Sequence, residues 1–81
     1  MSVFERIRNE LAKQLEIDPG IIGPDTKLMQ DLGIDSIDVV EFIMTLEEKY
    51  NIIITNDEAG DLSTIGQIAA FVEKQLGKQR P

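Results

Sequence analysis

Six consecutive residues, Gly33-Ile34-Asp35-Ser36-Ile37-Asp38, bring a hydroxyl, two carboxylates and a flexible backbone joint into one turn. Glycine takes backbone angles that other residues avoid, and here it stands three positions before a serine at the start of the most strongly patterned helix. Ser and Asp both favour helix starts, because a side-chain oxygen accepts from the free N–H groups of the first turn. Either Asp35 or Ser36 can therefore cap this helix. A cap at Asp35 leaves the Ser36 hydroxyl facing solvent, as covalent modification requires, whereas a cap at Ser36 makes the serine structural. Nucleophilic catalysis, the other chemistry open to a serine, needs a base to take its proton. The chain has no His and no Cys, and with Ile34 and Asp38 two positions either side of Ser36 there is no Gly-x-Ser-x-Gly elbow. The lysines lie in polar stretches, with nothing to suggest the burial that would lower their pKa, so hydrolase chemistry is not expected. Asp31, Asp35 and Asp38 surround Gly33, but a calcium loop starting at Asp31 would need Gly at its sixth position and Glu at its twelfth, where Ser36 and Phe42 stand. No metal site is expected.

The elements that position this turn follow from periodicity. Ser2 and Glu5 form a capping box, and Phe4, Ile7, Leu11 and Leu15 recur at helical spacing, so a first helix runs to near Glu16. Asp18-Pro19-Gly20 stops it. A long connection reaches about Asp35. Ile21, Ile22, Leu28, Met29 and Leu32 are expected to drop from it into the core, with a short helical turn within Asp25 to Leu32. The second helix, Ser36 to about Tyr50, shows two apolar faces when its residues are placed at about 100° each. Val39, Phe42, Ile43, Leu46 and Tyr50 make a core stripe. Ile37, Val40 and Met44 fall nearly opposite, among Glu41, Glu47 and Glu48. An apolar strip with an acidic rim suits a docking surface for a basic partner; alternatively, the strip packs under the long loop and the glutamates are solvated. Asn51 to Thr55 reads as an extended, buried connection, since the sequence offers no partner strand. Thr55 with Glu58 caps a short helix over Asn56 to Asp61, softened by Gly60. Thr64 with Gln67 caps a last helix, with Ile65, Ile68, Ala69, Val72 and Leu76 on one face and Gly77 as its stop. The expected fold is all-α: a small four-helix bundle, three helices longer and one short, with a long packed loop between the first and second. Residues 1–81 form one domain, with residues 77–81 as a frayed tail.

The formal charge of −7 disfavours a nucleic acid partner and favours basic protein surfaces. Between Asp35 and Asp61 eight acids, Asp35, Asp38, Glu41, Glu47, Glu48, Asp57, Glu58 and Asp61, face the single basic Lys49. That concentration steers a cationic partner from a distance. The N-terminus has no secretory pattern and no stretch is long enough to cross a bilayer, so a soluble cytoplasmic protein is expected.

The helix pattern, the long first loop and Asp35-Ser36-Ile37-Asp38 at the head of an acidic second helix together resemble the acyl carrier proteins over nearly the whole chain. Val40-Glu41, Met44 and Leu46-Glu47-Glu48 follow in the family's register. The resemblance implies a non-enzymatic carrier in which Ser36 is esterified by 4'-phosphopantetheine, donated from coenzyme A by a separate transferase. The arm would carry acyl groups as thioesters to enzymes of fatty-acid or related biosynthesis. Asp35, Asp38, Glu41, Glu47, Glu48, Asp57 and Glu58 would meet basic residues on the transferase and on acyl-processing enzymes, with Ile37, Val40 and Met44 as the apolar part of the contact; a monomer is expected. By position, Leu28, Leu32, Phe42, Leu46, Ile54, Ala59, Leu62 and Ile68 are candidates for the acyl-chain lining, each equally explained as plain core. Ile37 stands where the family more often has Leu, Thr55 where Pro is frequent and Asn56 where an acid is common. These departures leave a specialised polyketide or aminoacyl carrier open as an alternative. A helical interaction module without a prosthetic group is the alternative of another class.

Overall fold

Each of the three Ser/Thr-x-x-Glu/Gln pairs closes as a reciprocal cap, and these caps set where helices begin. In the computed structural model, which describes residues 2–79 and side chains as far as Gly77, the Glu5 N–H donates to Ser2 Oγ at 3.1 Å and the Ser2 N–H to Glu5 Oε1 at 3.0 Å. This opens α1, Val3–Leu15, which ends where Glu16 takes a left-handed conformation (φ 58°). Thr55 and Glu58 cap α4, Asn56–Gly60, in the same way. Thr64 and Gln67 cap α5, Ile65–Gln79. The docking helix predicted from sequence is α3, Ser36–Tyr50.

The long connection is ordered throughout. It holds a 3-10 turn at Pro19–Ile21, capped by the Asp18 carboxylate, and then α2, Leu28–Leu32, the short helical turn expected there. Gly33 ends α2 at φ 67°, a left-handed angle that a residue with a Cβ adopts only under strain. Main-chain hydrogen bonds clasp the connection to the start of α5. Leu28 N–H donates to Ser63 O (3.3 Å), Ile65 N–H to Thr26 O (3.2 Å) and Gly66 N–H to Pro24 O (2.8 Å). Lys27 and Thr64 pair there as an isolated antiparallel bridge.

The core lies where α1, α3 and α5 meet. Ile7, Leu11, Phe42, Leu46, Ile65, Ile68 and Val72 are fully buried in it. The Gln14 amide of α1 reaches the Asp38 carbonyl in the first turn of α3 (3.3 Å), and Lys49 near the other end of α3 pairs with Glu10 at 3.0 Å.

Several expectations need correcting. Ile22 and Leu28 are buried and Leu32 half-buried, but Ile21 and Met29 are exposed. A one-turn helix has only one side to bury, and Leu28 takes it. Ile53 is 78% exposed between buried Ile52 and Ile54, because side chains alternate along an extended segment. Gly77 does not stop α5, which runs through it to Gln79; a single exposed glycine costs a helix only about 1 kcal/mol. Of the expected frayed tail, Arg80 and Pro81 lie outside the described residues.

Candidate functional site

The choice of cap at the head of α3 falls to Asp35, whose carboxylate accepts from the Asp38 N–H at 3.0 Å. Ser36 is thereby the first helical residue, exposed, with its hydroxyl outside the cap. Buried Ile34 roots the turn in the core on one side, and left-handed Gly33 allows the chain to reverse out of α2. The unpaired N–H groups and positive dipole end of α3 favour an anion at this position. An exposed primary hydroxyl at a helix N-terminus, freed by its neighbour's cap, fits attachment of a phosphate ester.

Beyond Ser36, α3 divides as its two apolar stripes predict. Phe42, Ile43 and Leu46 are buried, Val39 is half-buried and Tyr50 partly packed. Ile37, Val40 and Met44 face outward at 67%, 56% and 54% exposure, so they are not covered by the loop. Asp35, Glu41, Glu48 and Asp57 are exposed beside them in sequence. Of the three other candidate docking acids, Glu47 and Glu58 hold the fold with their carboxylates. Asp38 is half-buried. Half-buried Glu47 accepts the Ile54 N–H on its carboxylate (3.0 Å) and the Ile52 N–H on its carbonyl (3.1 Å), folding the 51–55 connection back onto α3. Glu58 closes the α4 capping box, accepting from Thr55 N–H and Oγ1.

Two clefts open along α3. The larger, about 280 Å³, lies between α2, α3 and the end of α4, and is lined by Leu28, Ala59 and Leu62 from the candidate acyl set. It is completed by Val39 with Lys27, Met29, Gln30, Gly60 and Ser63. The smaller, about 130 Å³, lies between the outer side of α3 and α4. Ile54 and Ala59 line it from the candidate set, with Val39, Val40, Ile43, Met44, Glu47 and Asn56. Phe42, Leu46 and Ile68 are fully buried and line neither cleft, and half-buried Leu32 lines neither. Val39, common to both clefts, is absent from the candidate lining. Its spacing was a usable signal: three residues beyond Ser36, it lies on the same side of the helix as the serine.

Among the described residues no group of three or more carboxylates is placed to hold a metal ion, and no helix is long and apolar enough to cross a membrane.

A family model described as the phosphopantetheine attachment site matches residues 5–72. The acyl carrier protein of Campylobacter concisus is 44% identical over 78 residues, covering 96% of this chain and 100% of its own. That of Wolinella succinogenes is 40% identical over 73 residues, covering 90% of this chain and 96% of its own. The solution structure of a candidate acyl carrier protein from Anaplasma phagocytophilum superposes with a TM-score of 0.82 at 25% identity, across 96% of this chain and 89% of that one. The family match spans the turn that exposes Ser36 and the helices that hold it, and the chain belongs to the acyl carrier proteins, the phosphopantetheine-bearing carriers of acyl groups.

Proposed function

We propose that Ser36 Oγ is the attachment point of 4'-phosphopantetheine and that the outer side of α3 with the head of α4 is the docking face. The partners are the transferase that loads Ser36 and acyl-processing enzymes with basic patches, in fatty-acid or related biosynthesis. The whole chain, residues 1–81, acts as one monomeric, cytoplasmic carrier domain with no catalytic step of its own. The observation that carries this reading is the division of labour at the head of α3: Asp35 caps the helix, and Ser36 is exposed with its hydroxyl uncommitted to the cap.

When bound, the prosthetic group supplies a thiol that holds acyl groups as thioesters, a group this cysteine-free chain lacks. The chain's own residues do the rest. Asp35 and Gly33 fix the direction of the turn, and the N-terminal N–H groups of α3 favour the negative charge of a phosphodiester at Ser36. Asp35, Glu41, Glu48 and Asp57 offer exposed carboxylates to arginines and lysines. Ile37, Val40 and Met44 supply the apolar contact between them. Half-buried Asp38 adds to the field, as do Glu47 and Glu58, which also hold the fold. The same negative field disfavours nucleic acid.

The test is the intact mass after incubation with coenzyme A, magnesium and a broad-specificity phosphopantetheinyl transferase. One phosphopantetheine is expected on the native chain and none on Ser36→Ala. Equal addition to both, or none to either with a transferase shown to be active, overturns the assignment. The acyl group found on the arm in cells then separates a fatty-acid carrier from a polyketide or aminoacyl carrier.

A further inference from the structure

Among the described residues Ile53 is the most exposed large apolar side chain, at 78%, and Glu47 holds the residues on either side of it. The Glu47 carbonyl accepts the Ile52 N–H at 3.1 Å, and its carboxylate accepts the Ile54 N–H at 3.0 Å. The Ile52 and Ile54 side chains are buried, so the segment is fixed at both flanks and Ile53 is held outward. We propose that Ile53 is an apolar docking anchor, received by an apolar recess rimmed with Arg or Lys on an acyl-processing enzyme. This rests on the reading of the outer side of α3 as the docking face.

The anchor extends that face. The smaller cleft has Val40 and Met44 of the outer apolar strip in its lining, together with Ile54 and Asn56. The connection therefore runs beside the strip, and Ile53 stands next to a residue of the cleft wall. At about 1.5 Å per helical residue, Glu47 lies roughly 16 Å along α3 from Ser36, so a partner seated on the whole helix covers both ends. Alternation along an extended segment requires only that residue 53 point outward, and a polar side chain would meet that requirement without exposing apolar surface. Isoleucine adds a branched side chain stiff at χ1, which loses little freedom when a partner buries it. The clasp has already fixed the backbone, so docking at this point orders little that is not ordered beforehand.

Charge decides what covers the anchor. Glu48 and Asp57 are exposed near it in the sequence, within a stretch from Asp35 to Asp61 that holds eight acids and one lysine. A second copy of this chain, or an anionic lipid surface, brings like charge against this face. A recess rimmed with Arg or Lys brings opposite charge.

The experiment titrates the full chain, carrying its prosthetic group, against a condensing enzyme that accepts acyl thioesters from carrier proteins, and reads association and dissociation rates separately. Ile53→Thr keeps the β-branch that suits extended backbone and removes the apolar tip. It is expected to leave the melting temperature within a degree or two of native, as exposed substitutions do, and to weaken binding on the order of tenfold through faster dissociation. Ile53→Val recovers most of that loss. Glu41→Gln, on the acidic rim, weakens binding chiefly through slower association. Native binding by Ile53→Thr beside weakened binding by Glu41→Gln overturns the anchor and leaves the docking face standing. No loss from either variant overturns the docking face, and the anchor with it. Weaker binding that comes with a melting temperature many degrees lower makes Ile53 a structural residue and overturns the anchor. Sedimentation showing a native dimer that Ile53→Thr dissociates gives this surface to a second copy, and overturns it as well.

Discussion

A methyl group added at Gly66 would lie 2.8 Å from the carbonyl oxygen of Pro24, the atom that accepts the Gly66 N–H. Backbone on both sides of this contact leaves no flexible side chain to give way. Gly66→Ala is therefore expected to destabilise the fold by about 1–3 kcal/mol, in the range of other overpacked sites, measured by urea unfolding. Gly60 answers the same substitution with the opposite sign. A methyl group there meets nothing within 4 Å, and the residue closes a helix of only five. Gly60→Ala should stabilise by about 0.5–1 kcal/mol, because alanine loses less backbone freedom on folding. The two glycines are indistinguishable by residue type, and only the approach of Pro24 sets them apart. Ser36 was legible for the contrary reason. Its exposure depends on which of two adjacent residues caps α3, a choice already posed by Asp-Ser and settled by the Asp35 carboxylate on the Asp38 N–H.

Helix starts were readable because a capping box is a contact across three residues, and all three boxes form as spaced. The clefts were not, because their linings depend on which sides of α2, α3 and α4 meet. Val39 looks like plain core from periodicity, and fully buried Phe42, Leu46 and Ile68 look like lining. The acids of α3 and α4 show the same limit: composition gives their number, whereas only packing shows that Glu47 holds the Ile54 N–H. Glu47→Gln should thus lose stability, on the order of 1 kcal/mol, by weakening a charge-assisted hydrogen bond, and also weaken partner binding. Glu48→Gln, exposed and outside that contact, should weaken partner binding alone. Chemical denaturation beside a binding titration on a basic partner enzyme separates the two. At the N-terminal end, the Ser2 backbone N–H, followed by its hydroxyl, holds the Glu5 carboxyl below its ordinary value. A depressed carboxyl stabilises the fold above its unfolded pKa and loses that contribution as pH falls through the folded one. The first turn of α1 should therefore loosen in acid, seen as amide exchange at residues 3–6, and Glu5→Gln should flatten that pH dependence.

Over the whole molecule charge is segregated. Arg6, Arg8 and Lys13 lie on α1 and Lys74 on α5, the pair of helices packed together, while the stretch from Asp35 to Asp61, which holds α3 and α4 with their caps, carries eight of the fifteen acids. Lys49 is the one basic residue in that acidic stretch, and it is occupied by Glu10 at 3.0 Å. Carboxylates crowded on one side repel, and at 0.1 M salt the screening length is only about 10 Å. The melting temperature should rise with sodium chloride and further with magnesium, and the combined Glu41→Gln and Glu48→Gln change should reduce that rise. A melting temperature indifferent to both salts would contradict the segregation. The clasp between the first loop and the start of α5 has a different reach. It is built from main-chain donors and acceptors, at Pro24, Thr26, Leu28, Ser63, Ile65 and Gly66, so it makes almost no demand on residue type. Apart from Gly66 and the residues that plug the core, this loop is free to drift in sequence while the chain still closes around α3, and its surface can be rewritten without moving the serine.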